Sequence, residues 1–259
     1  MWSLRRRSLS QNFLKDRKLV EKLVRESSIG FKDTILEIGP GKGIITELLL
    51  NRANKVIAVE LDTNLYFYLK KRFSESMSKL LLVNKNFLEF KLPRYPYKVF
   101  ANIPFSIEGK IIRKLLNADR PPEDAYLVVR RDLGERLIGE RHENQFSVFY
   151  KPWFSFEIVH YFKRFDFEPL YTMDILLLRF TQRKSPLLEV KDKQKYIALV
   201  GQGFGGGRLL RYNLRSFLSY KEIKRLACEN NFSFKDKPTK LTLSQWITLF
   251  SFVKDRGRI

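Results

Sequence analysis

An α/β fold is what this sequence predicts: a seven-stranded, mostly parallel sheet followed by a small all-helical domain. Three observations predict it. Five short apolar runs, interleaved with helical patterns, fall before residue 130. A glycine-rich turn directly follows the first sheet strand, Ile35-Leu36-Glu37-Ile38, and opens the helical run Ile44–Leu50. Beyond the polar, proline-bearing stretch Thr181-Gln182-Arg183-Lys184-Ser185-Pro186 the strand pattern stops. The expected domains are therefore 1–182 and 183–259.

The elements follow in order. Leu19, Val20, Leu23 and Val24 give a helix near the N-terminus one apolar face. Val56-Ile57-Ala58-Val59 is the second strand, ending in Glu60, and Leu65, Tyr66 and Leu69 mark a helix over 63–74. Leu80-Leu81-Leu82-Val83 is the third strand. Lys98-Val99-Phe100-Ala101 is the fourth, followed by a helix over 107–117. Ala125–Val129 is the fifth, with a helix over 131–139. Strands apolar along their whole length belong to a parallel sheet covered on both faces. The last two, 156–162 and 174–180, are joined by about a dozen residues with no crossover helix, and this predicts an antiparallel pair. In the tail, 193–204 reads as a helix. Ser219-x-x-Glu222 and Thr242-x-x-Gln245 are capping boxes ahead of apolar runs.

The glycine spacing speaks to chemistry. A dinucleotide turn has the pattern G-x-G-x-x-G, whereas Gly39, Gly41 and Gly43 are spaced two apart. Glu37, at the strand's end, would repel a pyrophosphate and attract an ammonium or sulfonium. Glu60, at the end of the next strand, suits two ribose hydroxyls. Both features favour S-adenosylmethionine over NAD; a tight βα turn that holds no ligand is the plainer alternative.

Asn102-Ile103-Pro104-Phe105 ends the fourth strand, at the edge where open α/β sheets place their ligands. The Asn102 side-chain carbonyl and the Ile103 carbonyl, aimed by Pro104, could accept both N–H groups of an exocyclic amine. The nitrogen lone pair would then point toward a methyl donor. Phe105 offers a face to a base. No strong general base is required, so catalysis would rest on positioning and electrostatics.

The chain has 259 residues and a net charge of +21, which predicts a polyanionic partner. Residues 183–259 alone carry net +11, and Arg208, Arg211 and Arg215 fall largely off the apolar helix faces. These three, with Arg5, Arg6, Arg7, Arg131 and Arg136, are the candidate RNA-binding cations. A single cysteine, Cys228, excludes an intrachain disulfide, and with only His142 and His160 beside it a metal site is implausible. No run approaches the ~20 apolar residues of a membrane span. The expectation is a cytoplasmic protein, without metal or membrane, and a monomer.

The sequence resembles the ribosomal RNA adenine-N6 methyltransferases and, within them, the erythromycin-resistance (Erm) enzymes of large-subunit rRNA. The resemblance rests on Ser10-Gln11-Asn12-Phe13-Leu14, Glu37–Gly43, Glu60, Asn102–Phe105 and Arg130–Gly139. Lys151-Pro152-Trp153-Phe154, Phe165–Pro169 and Lys240–Trp246 extend it nearly end to end. It implies a Rossmann-like class I methyltransferase acting on one adenine of 23S rRNA near the peptidyl-transferase centre. Methylation there blocks macrolides, lincosamides and streptogramin B. By the family pattern Gln11, Asn12, Gly39 and Glu60 contact S-adenosylmethionine; Leu14, Glu37, Gly41, Gly43, Leu61, Asn86, Phe87 and Asn102 complete the expected cofactor site. Asn102 and Phe105 would hold the extruded adenine. Two residues depart from the pattern: Asn86 stands where Asp is usual, and Phe105 where Tyr is frequent. The small-subunit dimethyladenosine transferases share the glycine turn and a similar tetrad, but usually with Leu at the place of Ile103. A catalytically silent rRNA-binding factor on the same fold and an NAD-dependent oxidoreductase are the remaining alternatives.

Overall fold

The computed structural model describes residues 13–139, 142–170, 172–207 and 209–259. The strands are β1 (Phe13–Leu14), β2 (Thr34–Ile38), β3 (Lys55–Glu60), β4 (Leu80–Asn84), β5 (Lys98–Asn102), β6 (Asp124–Arg130), β7 (Phe154–Phe162), β8 (Phe167–Glu168) and β9 (Ile175–Gln182). Seven of them form one sheet in the order β4-β3-β2-β5-β6-β9-β7. β2 pairs in parallel with β3 and β5, β3 with β4, and β5 with β6, while β9 runs antiparallel to β6. The seven-stranded mixed sheet expected from the sequence is present.

The order places the site. From β2 the chain steps outward through β3 and β4, then returns to β5 on the other side. The carboxyl ends of β2 and β5 therefore flank the point where the strand order reverses, and a crevice opens there. Gly39 follows one of these strands and Asn102 ends the other.

The helices are α1 (Arg17–Glu26), α2 (Ile44–Leu50), α3 (Thr63–Arg72), α4 (Glu108–Leu116), α5 (Arg131–Ile138), α6 (Gln145–Tyr150), α7 (Lys193–Phe204), α8 (Leu210–Asn213), α9 (Tyr220–Glu229) and α10 (Leu243–Asp255). Asp16 caps α1 by accepting from Leu19 N, and Asp62 caps α3 by accepting from Asn64 and Leu65 N–H groups. Both expected capping boxes are formed, Ser219 with Glu222 and Thr242 with Gln245. α6 and the ladder of β1 with β8 were not foreseen.

The chain divides into two compact units, 1–134 with 156–182, and 135–155 with 183–259. The chain passes between the units after Gly134, Ser155 and Gln182, so residues 135–155 belong with the second unit. Their apolar side chains explain this: Trp153 packs edge-on against Tyr196 of α7, with ring centroids 5.6 Å apart. The second unit has its own core around Trp246, Tyr196 and Phe250. Gly203 makes room for it, because a Cβ there would stand 2.3 Å from Trp246 Cη2. Among the described residues no helix is long and apolar enough to cross a membrane.

Candidate active site

A cavity of about 310 Å³ opens at the carboxyl ends of β2, β3, β4 and β5 in the first unit, within the size range of ligand sites. Of the expected cofactor residues, Gly39, Gly41, Glu60, Leu61, Asn86, Phe87 and Asn102 line it, and the rest of the tetrad, Ile103, Pro104 and Phe105, lines it too. Gln11 and Asn12 lie outside the described residues, as do Arg5, Arg6, Arg7 and Arg208.

Leu14, Glu37 and Gly43 do not line the cavity, and each has a physical reason. Side chains alternate along a strand, so Ile38 faces the cavity and its neighbour Glu37 does not. Leu14 is buried in the core and pairs with Phe167 of β8. Gly43 caps α2 with φ 82°, and a Cβ there would lie 2.7 Å from Phe73 Cε2 and 2.8 Å from Leu69 Cδ2. That glycine serves close packing against α3.

Phe13, Val59, Leu65, Lys85, Leu88, Ser106 and Ile107 also line the cavity and were missed. Ser106 and Ile107 simply continue the tetrad. Phe13 carries no local signal; it is brought in by β1, which pairs Phe13 with Glu168, while Lys15 N donates to Asp166 O at 2.9 Å. Its ring stands where a Cβ on Gly41 would be, 2.6 Å from Cε1, and Gly41 has φ 60°. A glycine is needed there on both counts.

Glu60 organises the turn. Its Oε2 accepts from Gly41 N at 3.0 Å and its Oε1 from Asp62 N at 2.9 Å. Desolvation raises its carboxyl above the ordinary value despite those bonds. Each oxygen keeps a further lone pair, which fits it to a pair of ribose hydroxyls. The 87–90 turn is pinned by Lys114, whose Nζ donates to Leu88 O at 2.7 Å and Phe90 O at 2.6 Å. Asn86 Oδ1 accepts from Leu88 N at 3.0 Å, which holds its amide beside the cavity. The tetrad's exit is pinned by Glu108, the first residue of α4, which is buried. Its Oε1 accepts from Arg130 Nε at 2.6 Å and its Oε2 from Arg130 N at 3.0 Å. Asn102 Oδ1 is buried at the cavity wall. Phe105 is only 5% exposed and joins the hydrophobic core, so a limited part of its ring is open to a base.

Glu37 is 1% exposed, and burial pushes its carboxyl up to about 8, with Thr46 acting against the shift and Glu60 adding to it. Its Oε2 has no hydrogen-bond partner among the described residues. The unfolded chain ionises this group near 4.5, so between that pH and about 8 the folded chain binds more protons. Stability contributed by the protonated form is complete below 4.5 and is lost as pH rises through 8, by roughly 1.4 kcal/mol per pH unit. Glu37→Gln is therefore expected to melt increasingly above wild type as pH is raised from 5 to 8. A difference in melting temperature that does not change with pH would contradict this.

Among the expected RNA-binding cations, Arg131 and Arg136 are exposed on α5. Arg211 stacks on Tyr212, 4.6 Å from the ring centroid, and donates to its hydroxyl at 2.8 Å. Arg215 lines a recess of the second unit with Gly205, Gly206 and Tyr212.

The donor set fits an adenosine: a buried carboxyl group, Glu60, for the ribose and apolar walls from Phe13, Leu65 and Phe87 for the base. Topology and cavity define a Rossmann-like, S-adenosylmethionine-dependent methyltransferase. The solved structure of the 23S rRNA methyltransferase ErmE superposes with a TM-score of 0.80 at 25% identity, covering 93% of this chain and 99% of that one. A dimethyladenosine transferase from Plasmodium falciparum shares the fold at a TM-score of 0.77 and 21% identity, over 95% of this chain and 98% of that one. An rRNA adenine N-6-methyltransferase of Bacteroides fragilis is 29% identical over 94% of this chain and 92% of its own length. The ribosomal RNA small subunit methyltransferase A of Trichormus variabilis is 31% identical over 94% and 96%. The family model for ribosomal RNA adenine dimethylases matches residues 3–255. The chain belongs to this family and is an S-adenosylmethionine-dependent rRNA adenine-N6 methyltransferase.

Proposed function

We propose that the enzyme methylates N6 of one adenine in 23S rRNA near the peptidyl-transferase centre and so confers resistance to macrolides, lincosamides and streptogramin B. The observation that carries the chemistry is the Asn102-Ile103-Pro104-Phe105 turn at the wall of the cofactor cavity. The likeness to ErmE, with the sequence motifs, supports the large-subunit target. When bound, S-adenosylmethionine supplies an electrophilic methyl group on a sulfonium. Asn102 and Ile103 would accept the two N6–H groups of an extruded adenine, Phe105 would contact its ring, and Glu60 would hold the cofactor's ribose. No side chain need take the proton during transfer. The basic second unit, with Arg211 and Arg215, would bind rRNA phosphates. The protein would act as a monomer in a reducing cytoplasm, where Cys228 stays a free thiol.

The small-subunit reading is favoured by one observation, the 31% identity to the Trichormus variabilis enzyme. Methyl transfer from labelled S-adenosylmethionine to purified 23S and 16S rRNA, with the modified base mapped, decides between them. Label on one 23S adenine is expected, and label confined to 16S rRNA would overturn the proposal. The mass of the modified base gives the number of methyl groups.

A further inference from the structure

The first unit carries a second group of side chains that the cavity does not use. Tyr161 and Phe165 are 51% and 57% exposed, and Val159, Leu170 and Met173 are exposed on the same stretch of chain. Each of the two rings carries a cation: the Arg131 guanidinium lies 5.4 Å from the Tyr161 centroid and the Lys163 ammonium 5.5 Å from that of Phe165. Arg131 also meets Asp174 at 3.8 Å, with both side chains well exposed, so that pair is weak and screened. Five exposed aromatic or apolar side chains within fifteen residues suit an interaction site. Rings alternating with cations, in a chain of net charge +21, fit unpaired nucleic acid, whose bases stack while its phosphates meet the cations.

The patch is also tied to the cavity. Arg131 directly follows Arg130, which Glu108 fixes to the exit of the tetrad. Phe165 sits in a turn held by buried Asp166, whose Oδ2 accepts from Lys163 N at 2.7 Å. The carbonyl of the same Asp166 accepts from Lys15 N, beside the β1 strand that supplies the cavity wall Phe13. Phe165 is thus exposed on a turn that is hydrogen-bonded to the chain next to the strand supplying the Phe13 wall.

We propose that Tyr161 and Phe165 are stacking platforms for the unpaired nucleotides that flank the adenine entering the cavity. The proposal rests on the reading of the protein as an rRNA-modifying enzyme and adds that its substrate is gripped as single strand beside the target. The test uses the full chain and two labelled probes of about 12 nucleotides, a single-stranded oligoadenylate and an RNA duplex. For Tyr161→Ala/Phe165→Ala, single-strand affinity is expected to fall at least about tenfold, with duplex affinity and the salt slope unchanged. Tyr161→Trp/Phe165→Trp should restore it. In methyl transfer the alanine variant should raise KM and leave kcat in place. Undiminished single-strand binding, or an equal loss on both probes, would overturn the platform. So would self-association of the wild type that the alanine variant abolishes with RNA binding intact, which would assign the patch to protein contact. Failure of the wild type to methylate any rRNA would count against the functional reading alone, since the binding measurements judge the platform separately.

Discussion

Asn102→Ala is expected to abolish methyl transfer to rRNA while S-adenosylmethionine still binds with nearly wild-type affinity. The carboxyl end of β5 puts Asn102 at the cavity wall, level with Val128 of β6 and across the strand reversal from Gly39. Its side-chain carbonyl is the acceptor that would orient the adenine amine, and truncation removes it without touching Glu60 or the glycine turn. Losing one preorganised polar group from a reacting centre costs on the order of 10²–10³-fold in rate. Asn102→Asp keeps an acceptor oxygen and should retain part of the activity. The measurement is single-turnover transfer to rRNA beside calorimetric titration of the cofactor. Wild-type turnover in the alanine variant would remove Asn102 from the chemistry, and loss of cofactor binding in proportion to activity would make it a cofactor ligand only.

Gly43→Ala is expected to destabilise the fold by about 2–5 kcal/mol. The left-handed conformation at φ 82° costs an L-residue about 1–2 kcal/mol. The added methyl would meet Phe73 and Leu69 well inside contact distance, and overpacking typically adds about 1–3 kcal/mol. Both neighbours are buried, Leu69 completely, so neither can swing into solvent to relieve the clash. Denaturant unfolding with and without cofactor separates packing from ligand binding. If Gly43 is a packing residue, the loss appears in the ligand-free protein. A variant as stable as wild type but weak for S-adenosylmethionine would return Gly43 to the ligand site.

The five parallel strands were legible because each is largely apolar and ends in polar or turn-forming residues. The tetrad was legible because a polar amide, a proline and an aromatic stand together where a strand stops. Glu37 and Gly43 were expected at the ligand because a motif read as a string assigns every residue in it to the ligand; in the structure neither lines the cavity. Strand alternation turns Ile38 toward the cavity in place of Glu37, and Gly43 answers to Phe73, thirty positions away. Helix α6 escaped because it is six residues long and its capping box pairs Asn144 with Ser147, not the Ser/Thr and Glu/Gln of the usual signature. The pairing of Phe13 with Glu168 has no trace in either local sequence.

That last pairing bears on when the protein becomes competent during its synthesis. Every cavity-lining residue lies between 13 and 107, yet the strand carrying the Phe13 wall has its partner only at Phe167 and Glu168. A nascent chain that has exposed its first four sheet strands holds nearly all the contacts a cofactor needs but lacks the strand that fixes one wall. Contacts so distant in sequence close late. Cofactor affinity should therefore mature only after β8 has left the ribosome, so that the enzyme acquires its methyl donor as an almost finished domain.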